Sequence, residues 1–351
     1  MLYDVDNSYN INKFFCDEIL KLLSDGVSAE NILVITQNSY KKSEFLKELE
    51  KITNQNIRTL TFNGLVYNTI NDSKNFLLDK IPQINLVGME TSQYIFKEAI
   101  KETGFDDYFS KINLLHQFFR RNTILVQNDL TEEEQKERAK ILNDVYYNES
   151  QKVLNFFKKK TIECSGFDYI RQLNIFKYLY QNTDALSWIK YLFISDFDEY
   201  TPFAYTFLEH LKPQLIKYFI SFDKKGSSRC GYLSARKNPH IYLTQIFNEE
   251  IKTLPSNSKF YNIANEICDA IKNNTKINSN NFDIFQSSRR YEMAENIIHK
   301  IEILKNNRIK NSDIAIITPK CDENLKYLLN SNKQEKNTFN FISGNTKLYD
   351  D

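Results

Sequence analysis

The sequence predicts an α/β protein built on a parallel sheet. Three observations carry that expectation. First, Ile32-Leu-Val-Ile35, Tyr191-Leu-Phe-Ile194 and most of Gln214–Ser221 are near-continuous in apolar residues. Strands covered on both faces read this way, whereas half-exposed strands alternate. Second, segments with helical spacing separate these runs, and strand–helix alternation is the mark of crossover connections. Third, the runs end in polar or acidic residues, most densely at Ser195-Asp-Phe-Asp-Glu199. Ligands of such sheets bind at the carboxyl ends of the strands, which makes this acidic turn the leading candidate site.

The elements follow in order. Met1–Asp6 is a short apolar stretch ending in acids. Asn10–Leu23 places Ile11, Phe14, Phe15, Ile19, Leu20, Leu22 and Leu23 at helical spacing, with Gly26 as a natural C-cap. Ala29–Thr36 is a buried strand, Ser39–Ile52 a helix, Ile57–Phe62 a strand, and Asn63–Ile70 opens another helix. From about Ser73 to Ser187 long helical patterns dominate: Thr91–Thr103, Tyr108–Arg121, Thr131–Lys160 and Tyr169–Gln181. Thr131 followed by three acids is a helix start, with Thr131 as N-cap. No further buried strand is expected before Tyr191. Phe203–Leu211 is then a helix and Gln214–Ser221 a strand. Asn281–Gln286 and Asn311–Pro319 are expected strands around an amphipathic helix, and Phe339–Gly344 a further short strand.

Bulk composition narrows the class. Charged residues make up 26% and hydrophobic residues 41%, an ordinary globular balance. The formal net charge is +1, so any nucleic-acid surface must be local. Five cysteines without Cys-x-x-Cys spacing and four dispersed histidines argue against a zinc site or a disulfide framework. No apolar run approaches about 18 residues, so no membrane span is expected. The start carries Asp4 and Asp6 and lacks the basic region of a secretory signal, which makes a cytoplasmic location the expectation.

The order of elements resembles that of the UvrD/Rep-type superfamily of DNA helicases. The family's second motif is a hydrophobic strand, Asp-Glu-x-Gln-Asp, and a Pro-capped helix. Here those five positions are Ser195, Asp196, Phe197, Asp198 and Glu199, followed by Pro202. Ser195 stands at the Mg²⁺-holding Asp, Asp196 at the catalytic Glu and Asp198 at the Gln. The resemblance therefore offers Asp196, Asp198 and Glu199 as a degenerate catalytic set. It implies a RecA-like, P-loop-NTPase-type motor domain with a helical insertion, followed by the start of a second RecA-like domain. The expected division is 1–72 and 188–280 for the first domain, 73–187 for the insertion, and 281–351 for the second.

Other segments follow the same family order. Ile32–Leu49 is similar to the family's strand, Thr-x-x-Asn loop and helix. Thr59-Leu-Thr-Phe-Asn-Gly-Leu65 is similar to its Thr-Phe-His-Ser-Leu segment. By position, the resemblance implies DNA contacts at Thr36, Asn38, Thr61, Phe62 and Asn63, through base stacking and backbone hydrogen bonds. Thr and Asn after a strand are equally ordinary turn and N-cap residues. Asp223 stands in the loop that couples nucleotide state to DNA in relatives, where Gly226 and Arg229 replace the usual Gln and Tyr. Lys259 sits where a γ-phosphate Arg would be, but Lys lacks the bidentate fork.

The phosphate loop is the main departure. Asp4-Val-Asp-Asn-Ser-Tyr-Asn-Ile-Asn-Lys13 contains no glycine, and Gly-Lys-Ser/Thr occurs nowhere. Bulky side chains block close backbone approach, and acids repel a polyphosphate. The basic clusters Arg120-Arg121 and Lys158-Lys-Lys160, interleaved with Phe118, Phe119, Phe156 and Phe157, read as backbone contacts or solvated helix ends.

Three functions are expected, in this order. The first is an inactive, AddB/RexB-like scaffold subunit in DNA repair or recombination. It would bind single-stranded or duplex-end DNA or a partner helicase or nuclease subunit, and it needs no cofactor. The second is an active ATP- and Mg²⁺-dependent helicase with an atypical nucleotide site. The third is a metal nuclease using the same acids.

Overall fold

The computed structural model describes residues 1–5, 9–77, 85–105, 122–143, 147–224, 235–236, 238–254, 263, 266–267, 269–270, 273–276, 285–318 and 322–330. Two compact units are bounded by Met1–Asn262 and Ile263–Asp351.

The first unit holds a six-stranded sheet. Its strands are β1 (Leu2–Val5), β2 (Ile32–Thr36), β3 (Arg58–Thr61), β6 (Tyr191–Ile194), β7 (Lys217–Phe222) and β8 (Ile251–Leu254). The order is β3-β2-β6-β7-β1-β8, and every pairing is parallel. The α/β class and parallel sheet expected from the apolar runs are therefore present. Two elements extend the sheet beyond those expectations: helix α9 (Pro239–Phe247) and the edge strand β8.

Parallel crossovers are right-handed, so the direction of each step fixes which face its helix covers. The steps from β1 to β2 to β3 run one way; those from β3 to β6, β7 and β8 run the other. The packing agrees. On one face, α1 (Ile11–Ser24) and α2 (Ser39–Leu49) bring Phe15, Ile19, Leu22, Phe45 and Leu49 onto Ile32, Val34, Phe193 and Phe219. On the other lie α3 (Phe62–Asp72), α7 (Tyr169–Asn182), α8 (Pro202–Leu211) and α9. They bring Leu65, Phe176, Phe203, Phe207 and Leu243 onto Leu33, Ile35, Leu192, Ile194 and Ile220. Successive strand residues thus serve opposite cores, which is why the runs contain no polar alternation. Phe193 and Phe219 stack at 4.6 Å between ring centres.

Between β3 and β6 the chain forms the expected helical region, with two differences. A short parallel ladder joins β4 (Asn85–Leu86) to β5 (Gly166–Phe167), although no strand is expected there. And the run read as one helix, Thr131–Lys160, divides into α5 (Glu132–Ile141) and α6 (Tyr147–Glu163). The break has a local cause: Asn143 takes a left-handed φ of 48°, which ends an α-helix. Thr131 caps α5 and Glu134 completes the capping box. Helix α4 (Met89–Glu102) packs on α6 through Ile95, Phe96, Ala99, Val153 and Phe157. The helix expected at Tyr108–Arg121 lies outside the described residues.

In the second unit, α10 (Arg290–Asn306) and α11 (Glu323–Asn330) share a small core of Ala294, Ile298, Leu325 and Leu329. Arg290 fastens the pair by donating to both oxygens of Asp322 at 2.8 and 3.1 Å. The expected strand Asn311–Pro319 is corrected here. Asn311–Asp313 is a 3₁₀ turn, Ile314 after it is extended, and 314–318 joins no ladder among the described residues. Ile316 packs on the core while Ile317 is 94% exposed, so only one face of this run is covered. Residues 285–287 are likewise outside any strand; 281–284 and 339–344 lie outside the described residues.

Candidate functional site

The site forms where strands end. Register places Thr36 opposite Thr61 and Ile35 opposite Ile194, so Ser195 follows beside Thr36. Ile194 lies opposite Ile220, which brings Asp223 to the same edge. Connections after β1 and β2 leave to one face and those after β6 and β7 to the other. Such divergence opens a crevice at the carboxyl ends. A small cleft open to solvent lies there. Asp196 and Asp198 from the β6 turn line it, with Phe222 and Asp223 from the end of β7, Val5 from β1, Tyr9 and Ile11 at the start of α1, and Lys41 from α2. Asp196, Asp198 and Asp223 are thereby brought together, with Glu199 half-buried in the same turn.

Asp196 begins that turn with φ 51° and ψ 45°, a left-handed conformation that Asp tolerates better than most side chains. It turns the chain sharply from β6 into the 3₁₀ segment Phe197–Glu199. Burial raises the pKa of Asp196, against the pull of Lys41 and a hydrogen bond from Ser195. Asp198 is 8% exposed. Its Oδ1 accepts the backbone N–H of Asp223 at 2.9 Å, which ties the end of β6 to the end of β7. Burial pushes Asp198 up to about 7; the hydrogen bonds from Asp223 and its own N–H oppose this, and Asp196 and Glu199 add repulsion. Beneath the turn, Tyr200 and Tyr205 bury hydroxyls that have no hydrogen-bond partner among the described residues.

The neighbouring backbone is closed on itself. Asn10 caps α1 by accepting the N–H of Lys13 at 3.1 Å, and Asp4 Oδ1 accepts the N–H of Lys224 at 2.9 Å. Tyr9 and Ile11 bring side chains to the cleft wall. Among the described residues, no three His, Cys, Asp or Glu side chains are grouped to hold a metal ion. Lys259, Gly226 and Arg229 lie outside the described residues, as do residues 6–8.

The five residues aligned with DNA contacts divide by role. Thr36 is buried, and its Oγ1 reaches the carbonyl of Asn38 at 3.4 Å. Asn38 is exposed and caps α2, accepting the N–H of Lys41 at 2.9 Å. Thr61 caps α3, accepting the N–H of Gly64 at 3.0 Å. Phe62 lies edge-on to Phe176, Tyr200, Phe203 and Phe207, so its ring belongs to the core beneath the edge. Stacking on a base would require giving up those contacts. Asn63 is exposed. The aromatic rings that do face solvent on α2 and α3 are Tyr40, 61% exposed, and Tyr67. Neither Tyr40 nor Tyr67 is among the sequence-based candidates, although an aromatic on the polar face of an amphipathic helix is a legible signal.

No protein-family model matches this chain, and no curated protein matches it. Fold and site therefore define a class by themselves: a parallel α/β protein with two desolvated carboxylates at the carboxyl edge of its sheet. No helix among the described residues is long and apolar enough to cross a membrane.

Proposed function

We propose that this chain is a RecA-like, helicase-related scaffold that binds DNA at the carboxyl edge of its sheet without hydrolysing ATP. One observation carries the reading. Asp198 serves as a buried acceptor for the Asp223 backbone, with its pKa raised to about 7. Phosphoryl transfer relies on fixed charges placed around the phosphates and their Mg²⁺. Carboxylates that resist ionising and are tied into the fold serve that purpose poorly. The glycine-free segment Asp4–Lys13, with Tyr9 and Ile11 at the cleft, also favours a scaffold.

The DNA part of the reading rests on the exposed residues at the starts of α2 and α3. Asn38, Tyr40 and Asn63 offer amide hydrogen bonds and an aromatic face, the means by which single strands are held without sequence preference. Cytoplasmic action in DNA repair or recombination, beside a partner helicase or nuclease subunit, completes the proposal.

A second reading, an ATP- and Mg²⁺-dependent helicase, draws on the position of the cleft at the switch between faces. The two separate in a binding series. Fluorescently labelled single-stranded DNA is titrated across salt, with and without Mg·ATP. The scaffold reading expects affinity that falls with salt by about 0.7 in log–log slope per phosphate contacted. It also expects ATP to leave the curve unchanged. An ATP-dependent shift in affinity sinks it, and absence of binding at low salt removes the DNA role.

A further inference from the structure

The helical region between β3 and β6 holds a buried cation with one edge that no acceptor meets among the described residues. Arg171, in the first turn of α7, is 5% exposed. Its Nε and Nη2 are buried and have no hydrogen-bond partner among the described residues. These two nitrogens form one edge of the guanidinium, able to grip a carboxylate or phosphate through two parallel N–H bonds. The guanidinium lies 5.0 Å from the centre of the Phe157 ring.

The acid three residues back does not fill that edge. Asp168 Oδ1 accepts the backbone N–H of Arg171 at 2.9 Å, and Asp168 Oδ2 accepts the hydroxyl of Ser92 at 2.5 Å. Lys158, next to Phe157 on α6, brings a second positive charge. Lys158 is exposed overall, yet partial desolvation around its amine lowers its pKa, and Arg171 lowers it further, against the pull of Glu132. Burial lowers that of Arg171 as well, with Asp168 opposing. Leaving a buried charge uncompensated is costly, so the arrangement calls for an anion. The ladder below adds to the field: Asn85 pairs with Gly166 and Leu86 with Phe167, which sets the starts of α4 and α7 side by side. Helix starts carry positive partial charge.

We propose that Arg171 and Lys158 form a binding site for a phosphate-type oxyanion, gripped by the Nε–Nη2 edge of Arg171. This is independent of the DNA reading, which concerns Asn38, Tyr40 and Asn63 at the main sheet. The oxyanion is either free phosphate or one phosphate of a nucleic-acid strand, since the chemistry of recognition is shared.

The test is thermal unfolding of the full chain in inorganic phosphate against chloride at equal ionic strength. At about ten times the dissociation constant, phosphate is expected to raise Tm by roughly 2 °C. Arg171→Met should lose the rise and Lys158→Met should weaken it. Should Arg171→Met fail to fold, Lys158→Met, at an exposed position, still decides the matter. No rise in the unmodified chain assigns the guanidinium edge to buried water and overturns the proposal, as does an equal rise in both variants. A labelled oligonucleotide then identifies the source. If phosphate displaces it and Lys158→Met weakens it, the site takes a strand phosphate; if it is indifferent to both, the site takes the free anion. Loss of strand binding in Asn63→Ala alone concerns the DNA reading and leaves the phosphate response intact.

Discussion

Among its described residues the molecule buries charge in two places and treats it in opposite ways. At the carboxyl edge of the main sheet, Asp198 is surrounded by its own chain: the N–H of Asp223 meets it, and protonation near neutral pH removes most of the remaining cost. In the helical region, Arg171 keeps its charge, and its Nε and Nη2 find no hydrogen-bond partner among the described residues. A carboxylate can escape burial by taking a proton, whereas a guanidinium cannot release one in a protein. The acid that sequence marks as catalytic therefore has a structural explanation, and the Arg that sequence passes over lacks one.

The largest expected effect comes from breaking the first half of the comparison. Burial raises the folded pKa of Asp198 from the ordinary carboxylate range, near 3.8, to about 7. Its ionisation therefore costs nothing below the unfolded pKa, costs progressively more as pH rises from about 4 to 7, and costs its full amount above that. Asp198→Asn keeps a carbonyl acceptor for the Asp223 N–H and removes the charge. Urea unfolding should show this variant more stable than the parent by about 3–4 kcal/mol at pH 8. The gain should vanish by pH 4. A variant destabilised at pH 8 would mean the carboxylate is favourable where it sits.

Asp198→Ala removes the charge and the acceptor together. The part-buried N–H of Asp223 then loses that acceptor, so this variant should fall below Asp198→Asn by about 1 kcal/mol at every pH. Equal stabilities would show that water reaches the Asp223 N–H.

Ser92→Ala sharpens the second half. It strips Asp168 of one partner and should cost about 1–3 kcal/mol in denaturant unfolding. Freed from Ser92, Asp168 becomes a competitor for the Arg171 edge, so the phosphate response should weaken as well. An unchanged response would show that Asp168 cannot turn toward the guanidinium.

The smallest effects belong to the caps. Thr61→Ala and Asn38→Ala should each cost about 1 kcal/mol, and Thr61→Ser should recover most of the first. If Asn38→Ala also weakens strand binding, capping and DNA contact share one side chain; if affinity is unchanged, Asn38 only caps.

The fold was legible where burial is complete. β2, from Ile32 to Thr36, is buried at every position, and its unbroken apolar run says so. β8 was not: Ile251-Lys-Thr-Leu254 is an edge strand with two exposed central residues, following Glu249 and Glu250. β4 and β5 are two residues each, too short to leave a periodic signal. By sequence, Phe62 ends a strand and faces a ligand. It opens α3 instead, in phase with Leu65, Val66, Thr69 and Ile70, and that spacing turns its ring inward. The acidic turn was legible as residues at a strand end. Its left-handed start at Asp196 and the Asp198–Asp223 tie were not, since both depend on β7 running alongside β6. Arg171 carried no sequence signal, because a helix Arg is ordinarily solvated and only packing removes its partners.

One measurement bears most directly on whether the carboxyl edge has become structural. A fluorescent ATP analogue is titrated into the chain with excess Mg²⁺ at pH 8, where Asp198 is ionised and metal binding is most favoured. The expected result is no saturable binding on the order of micromolar. Micromolar binding that disappears in Asp196→Asn and Asp198→Asn would contradict it and return both acids to a working nucleotide site.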